Sequence, residues 1–299
     1  MKKLLIISLG IAIAGLIIAS LGRTPKSEPV DLVNTRIGNI SHLLVPTYPT
    51  AQLPNAMLRM NPDHNEYTTD RMGGLPLNVP SHRQGNVTLM KPFCGEVDVI
   101  NPDFRYRYDH EQTAPYRYAV YLDDFAIDIE FIPAEHSAIA SFKFEQAGNR
   151  YIMLQSQWEG EIFAEGNRMW GYDTYYDTKH YFWMEFDHTP TAFSGKDGDA
   201  VRYAQFAPEV EKVSLRYGIS YIDYAQAERH LEREIPTFDM ESTQIAAREA
   251  WNAALGKIEV EGGSEDEQIA FYTALYRCHE RMINISEEGR YRGPFDKQI

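Results

Sequence analysis

The sequence predicts a mainly β protein, an antiparallel β-sandwich followed by C-terminal α-helices. Three observations carry this. Aromatic residues make up 12% of the 299 residues, with 19 Tyr, 14 Phe and 4 Trp, and aromatic side chains suit pleated, half-buried surfaces. Short alternating apolar runs recur from residue 31 to 224, separated by Gly, Pro, Asn and Asp, without intervening helical stretches. That pattern belongs to packed antiparallel sheets. Near Ala225 the texture switches to helical periodicity. No internal repeat of propeller or solenoid length is visible.

The elements follow in chain order. In residues 1–27, Lys2 and Lys3 precede an uncharged run over 4–22 that ends in small residues, the build of a secretory signal peptide. The run is just long enough that an uncleaved anchor is the alternative. The clearest strands are expected over 118–122, 126–132, 138–144, 151–156, 181–186 and 213–221, with Asp123 and Asp124 at a hairpin turn between the first two. A short helix over 225–234 is stopped by Pro236. Asp239 N-caps a helix to about residue 255, with Ile245, Ala246, Ala250, Trp251 and Ala254 as its apolar stripe. A short strand is expected over 257–261. Ser264 and Glu267 then form a capping box that opens a helix to about Ile283, with Ile269, Tyr272, Leu275, Tyr276 and Cys278 on its stripe. Residues 286–299 read as polar and irregular. The domain reading is therefore 1–27 signal peptide or anchor, 28–224 sandwich, and 225–299 helical linker and entry to a second domain.

Composition excludes several classes. Hydrophobic residues at 43% and charged residues at 24% are ordinary for a globular protein. Lys and Arg number 29 against 43 Asp and Glu, a net charge of −14, which argues against a nucleic-acid partner. Cys94 and Cys278 are too few for a disulfide framework and are expected as buried thiols, a single disulfide being the lesser alternative. The nine His show no zinc-hydrolase spacing. The carboxylates at Asp123 and Asp124, Glu159 and Glu161, and 265–267 read as hairpin turn, solvated strand face and helix first turn rather than as catalytic groups. The aromatic run from Trp170 to Tyr176, with Trp183, is either a sugar platform or sandwich packing; alternation alone leaves both open.

Several segments resemble glycoside hydrolase family 92, the bacterial exo-acting α-mannosidases. They are residues 33–38 (VNTRIG), 54–57 (PNAM), 61–63 (NPD) and the hairpin from Tyr118 to Glu130. The remainder are 219–236, and in the tail 250–252, 257–260, 271–276 and 289–293 (GRYRG). The resemblance implies a galactose-mutarotase-like supersandwich, linker helices, and a C-terminal (α/α)6 barrel beginning near the end of this chain. It implies exo-cleavage of α-mannosides with inversion and a bound Ca²⁺, the acid, the base and most calcium ligands coming from the barrel. No catalytic residue or metal ligand is assigned within this chain. Implied partners are a mannose-containing glycan and the barrel; membrane contact is limited to an uncleaved 4–22 segment, and the location is periplasm or cell envelope.

Two loops carry the candidate substrate contacts. Residues 39–50 occupy the place of a family segment that lines the sugar pocket at the domain interface, and His42, Thr47 and Tyr48 are its candidates to bond or stack on a sugar. The alternative is a Pro-rigid loop held by its own packing. Ser81, His82 and Arg83 stand in a second family segment; imidazole and guanidinium both donate to hydroxyls. The leading functional expectation is the N-terminal domain of an exported α-mannosidase-like hydrolase, inactive alone. A carbohydrate-binding or scaffold module without hydrolytic activity is the alternative. With the barrel lying beyond residue 299, the helical stripes are expected to be exposed or to fold back onto the sandwich.

Overall fold

The computed structural model describes residues 27–43, 46–64, 69–80, 85–95, 102–293 and 296–299. The signal-peptide segment up to residue 26 and the candidates Ser81, His82 and Arg83 lie outside these residues.

Two antiparallel sheets face each other. The smaller runs β14 (Ala192–Phe193), β15 (Val201–Phe206), β10 (Asn149–Gln155), β5 (Val87–Gly95) and β4 (Leu75–Asn78) in spatial order. The larger runs β11 (Glu161–Glu165), β12 (Arg168–Tyr175), β13 (Thr178–Phe186), β16 (Lys212–Ser220), β9 (Ser137–Phe144), β8 (Ile127–Pro133), β7 (Arg117–Leu122), β6 (Tyr106–Ala114) and β3 (Arg71–Met72). A two-stranded ribbon, β1 (Ala51–Gln52) with β2 (Arg59–Met60), forms its own small sheet, with Ala51 and Met60 in the core shared by the other two. Three helices follow, α1 (Tyr224–Glu234), α2 (Met240–Leu255) and α3 (Glu265–His279).

Strand alternation reports which faces are covered. In β12 and β13 every second residue is buried, because one face packs inward; the other is half-buried, with Tyr181 and Trp183 of β13 against α1. In β9 seven of eight residues are buried, because α1 and α2 cover its outer face: Ile132 and Ile139 pack against Leu231, Ile235 and Ala247. Leu77, Met90, Ile152 and Phe206 of the small sheet meet Val120, Phe142, Phe186 and Leu215 of the large one in a single core. Gly218 in β16 is what lets α1 come so close; a Cβ there would lie 2.1 Å from the Ala227 carbonyl oxygen.

The capping expectations hold: Asp239 accepts from Ser242 N, and Ser264 and Glu267 form a reciprocal capping box. Four expectations are corrected. Residues 257–261 form no strand, and Ile258 is exposed. The last helix ends at His279, not near Ile283. The α2 stripe is rotated by one position: Ala247, Trp251, Ala254 and Leu255 are buried while Ile245 is exposed. Cys94 is buried and Cys278 exposed, both as free thiols, since Cys278 follows the buried Tyr276 by two residues, off its face.

The helices are also covered by this chain's own residues. Trp251, Leu255, Tyr272 and Tyr276 close over Val30, and the Trp251 indole donates to the Gln52 carbonyl at 2.7 Å. The tail is anchored too: Glu287 is fully buried, accepting from Ser220 Oγ and, at 2.9 Å, from Tyr221 N. Burial raises the Glu287 pKa despite these bonds.

Candidate functional site

A cleft of about 350 Å³ opens where four loops and a hairpin tip meet beside the sandwich. Tyr48 comes from the loop before β1, Asp63 and His64 from the segment after β2, and Asn86 from the approach to β5; Trp158 follows β10, Tyr175 ends β12 and Tyr176 follows it in the turn. Polar and aromatic groups therefore converge on one hollow, the combination that orients a small ligand.

Each wall has a local cause. Tyr176 and Asp177 have φ of 45° and 60°, the two left-handed residues of a tight hairpin loop closed by the Tyr175–Thr178 pair. That turn leaves Tyr176 76% exposed at the tip. The Tyr175 ring lies over Gly85, where a Cβ would sit 2.3 Å from Cζ. Trp158 is 54% exposed, yet its backbone is fixed. The fully buried Asp173 carboxylate accepts from Trp158 N at 3.1 Å, Gln157 N at 2.7 Å, Ser156 Oγ at 2.8 Å and Thr88 N at 2.9 Å. The Trp158 indole donates to the Asn86 carbonyl at 2.9 Å, and its ring meets Tyr175 edge-on at 5.3 Å.

On the polar side, Asn86 Nδ2 donates to Asp63 at 2.7 Å and Arg105 Nη1 donates to the other Asp63 oxygen at 3.1 Å. Behind them His64 packs edge-on against Tyr108 at 5.1 Å, its Nε2 3.8 Å from Glu111. Burial opposes ionisation of Glu111, but the interaction with His64 and the charge of Arg36 outweigh it and hold the carboxyl below its ordinary range. A wider groove of about 560 Å³ lies beyond, along Arg36, Tyr108 and Glu111. Along it Arg36 Nη2 donates to Glu111 at 2.8 Å.

The candidates from sequence are distributed unevenly. Tyr48 lines the cleft. Thr47 is used inside its own loop, donating through Oγ1 to the Ile37 carbonyl at 3.0 Å and through N to Gly38 O at 2.9 Å. His42 is exposed elsewhere on that loop, outside the cleft lining. Ser81, His82 and Arg83 lie outside the described residues. The aromatic run divides by strand alternation: Trp170 and Trp183 stack at 5.3 Å on the outer sheet face, whereas Tyr175 reaches the cleft. The cleft adds Trp158, Asp63 and His64, which no sequence motif marks as contacts, and Asn86, at the end of the second family segment. The signal for Trp158 was a lone Trp in a polar, Gly-bounded loop, where a large aromatic has little core to enter.

The loop that carries Tyr48 is held by α3. Arg277 donates to the carbonyls of Thr35 at 2.6 Å and Tyr48 at 2.8 Å, and is itself paired with Glu280 at 2.8 Å. Tyr276 donates to the Thr50 carbonyl at 2.6 Å, and Gln52 Nε2 donates to His279 O at 3.1 Å.

Among the described residues, Glu135, His136 and Glu234 form a group with metal-like spacing, their ligand atoms within 4.8 Å. Both ring nitrogens are engaged, with Nδ1 2.9 Å from Glu234 and Nε2 3.3 Å from the Ser286 carbonyl. Burial favours neutral His136, but the bond to Glu234 prevails and raises its pKa. Calcium takes about six to eight oxygen ligands, so this trio does not fit the ion.

The family profile for the glycosyl hydrolase family 92 N-terminal domain matches residues 32–220, and that for the family 92 catalytic domain matches 226–299. The chain belongs to glycoside hydrolase family 92. The fold agrees. It superposes with a TM-score of 0.81 on a family 92 inverting mannosidase from Bacteroides thetaiotaomicron at 24% identity, covering 92% of this chain and 43% of that one. A family 92 α-mannosidase from the same organism matches with a TM-score of 0.77 at 20% identity, over 91% and 44% of the two chains. An uncharacterized secreted glycosidase from Arthroderma benhamiae is 33% identical over 86 residues, 27% of this chain and 11% of that protein. The chain thus spans less than half the length of the family 92 structures it matches. Within the family 92 assignment, α3 falls in the catalytic-domain match while Tyr48 falls in the N-terminal one. Arg277 therefore bonds one region to the other.

Proposed function

We propose that this chain is the N-terminal part of an exported exo-acting α-mannosidase of family 92, contributing the cleft at Tyr48, Asp63 and Trp158 to the sugar pocket. The observation that carries the reading is the physical tie between the two matched regions: a helix of the catalytic-domain match fixes the loop that lines a cleft in the N-terminal one. Inversion needs a carboxylic acid and a carboxylate about 6.5–9.5 Å apart across the glycosidic bond. Among the described residues lining the cleft, Asp63 is the one carboxylate, and it is held by Arg105 and Asn86. That engagement suits orientation of sugar hydroxyls rather than proton transfer.

In this division of labour the acid, the base and the oxygen ligands for Ca²⁺ come from the remainder of the enzyme, and the sites of action are the periplasm or cell envelope. Ser81, His82 and Arg83 remain candidate substrate contacts by family position, whereas His42 lies outside the cleft lining and Thr47 is engaged within its own loop. The test is an assay of the 299-residue chain on aryl and disaccharide α-mannosides, with and without Ca²⁺. No turnover is expected. Turnover abolished by Asp63→Asn would overturn the division of roles.

A further inference from the structure

We propose that the Trp158 indole is a stacking platform for a pyranose ring, with the Asn86–Asp63 pair as its hydroxyl partner. This deepens the reading above, since it names the group that holds sugar in the same cleft.

A Trp more than half exposed in a loop leaves a large apolar face in water. Folding has nevertheless constrained it from three directions. Asp173 fixes the backbone through Trp158 N and Gln157 N, the Asn86 carbonyl fixes the indole N–H, and Tyr175 supports the ring edge. A surface side chain with no ligand gains little from such restraint, whereas a binding platform gains much, because the ordering entropy is spent before the ligand arrives.

Chemistry narrows the ligand. One face of a pyranose is lined by C–H groups and its rim by hydroxyls, so it matches a flat ring flanked by an acceptor and a donor. The indole face supplies the first. Asp63 supplies acceptor lone pairs beyond those used by Asn86 and Arg105, and Asn86 supplies an amide group already oriented by Asp63. A planar nucleobase would also stack, but the chain's net charge of −14 and the Asp63 carboxylate disfavour its phosphates. A wholly apolar ligand would leave Asp63 desolvated.

The experiment uses the 299-residue chain labelled with ¹⁵N at its four Trp indoles and titrated with methyl α-mannoside, the Trp158 resonance being assigned by Trp158→Phe. Saturable movement of that resonance is expected, with the buried Trp251 unmoved as an internal control. Trp158→Ala is expected to weaken binding roughly five- to tenfold, the scale of one aromatic contact, with Trp158→Phe retaining part of it. Unshifted Trp251 resonances in both variants would certify their folds. Binding detected by saturation transfer without movement of Trp158, or unweakened in Trp158→Ala, would overturn the platform and leave the glycosidase reading standing. Absence of any binding would also overturn it, while turnover by the complete enzyme decides the glycosidase reading separately.

Discussion

His180 shows how a single residue's setting escapes a linear reading. In sequence it is one of nine His; in the fold it is buried in β13, edge-on to Tyr221 at 4.7 Å. Burial drives its pKa down to about 3. The unfolded chain therefore binds a proton between about pH 6.5 and 3 that the folded chain refuses. Stability from this group is fully present above the unfolded value and lost as pH falls through that window. Between pH 7 and pH 5 the loss is about 2 kcal/mol. His180→Phe is expected to flatten the pH dependence of urea unfolding by that amount. An unchanged dependence would mean that His180 is solvated or partnered. His230, also lowered to about 4 by burial and the neighbouring His136, adds to the residual slope. Of the substrate candidates, Tyr48 was legible because a family position could be matched to it. Asp63 was visible only as part of a motif, because nothing in sequence reveals that Asn86 and Arg105 converge on it.

At the scale of elements, hairpins and caps are the readable part. Their determinants lie within a few residues: Asp239 with Ser242, Ser264 with Glu267, and the paired strands on either side of Asp123. Helix faces are less readable, as the one-residue rotation of the α2 stripe shows. Small residues such as Ala246 and Ala247 carry almost no weight in choosing the face, and the sheet beneath makes the choice. Gly218 is a sharper instance. It reads as a weak point in a strand, but it is the place where α1 lies on β16. Gly218→Val is expected to destabilise the protein by roughly 1–3 kcal/mol through overpacking, by lifting α1 from the sheet. Denaturant midpoints would measure this, and wild-type stability in the variant would contradict the close approach.

Over the whole molecule, the helices fold back onto the rest of the chain, one of the two outcomes expected for their stripes. Residues around Val30 and the β1–β2 ribbon pack with α2 and α3 as one unit, joined by Trp251, Tyr276 and Arg277. The unit lies across the junction between the N-terminal and catalytic-domain matches. Trp251→Ala removes a fully buried indole and its bond to Gln52, and is expected to cost about 3–5 kcal/mol. The loss should be shared: hydrogen exchange is expected to accelerate together over α3 and the chain around Gln52, while β9 and β16 keep their protection. Acceleration confined to α2 and α3 would show that they form an independent layer.

The sequence by itself determined the β-sandwich, the helical switch near residue 225, the caps and the family, because these rest on local periodicity, turn chemistry and ordered motifs. The tertiary structure decided where function gathers. Trp158, Asn86, Asp63 and Tyr48 come from separate loops, and they meet only because the two sheets bring the loop ends together. It also decided that Glu287, in a tail that reads as polar and irregular, is buried beneath Tyr221. Both are consequences of long-range contact, which no local pattern of residues encodes.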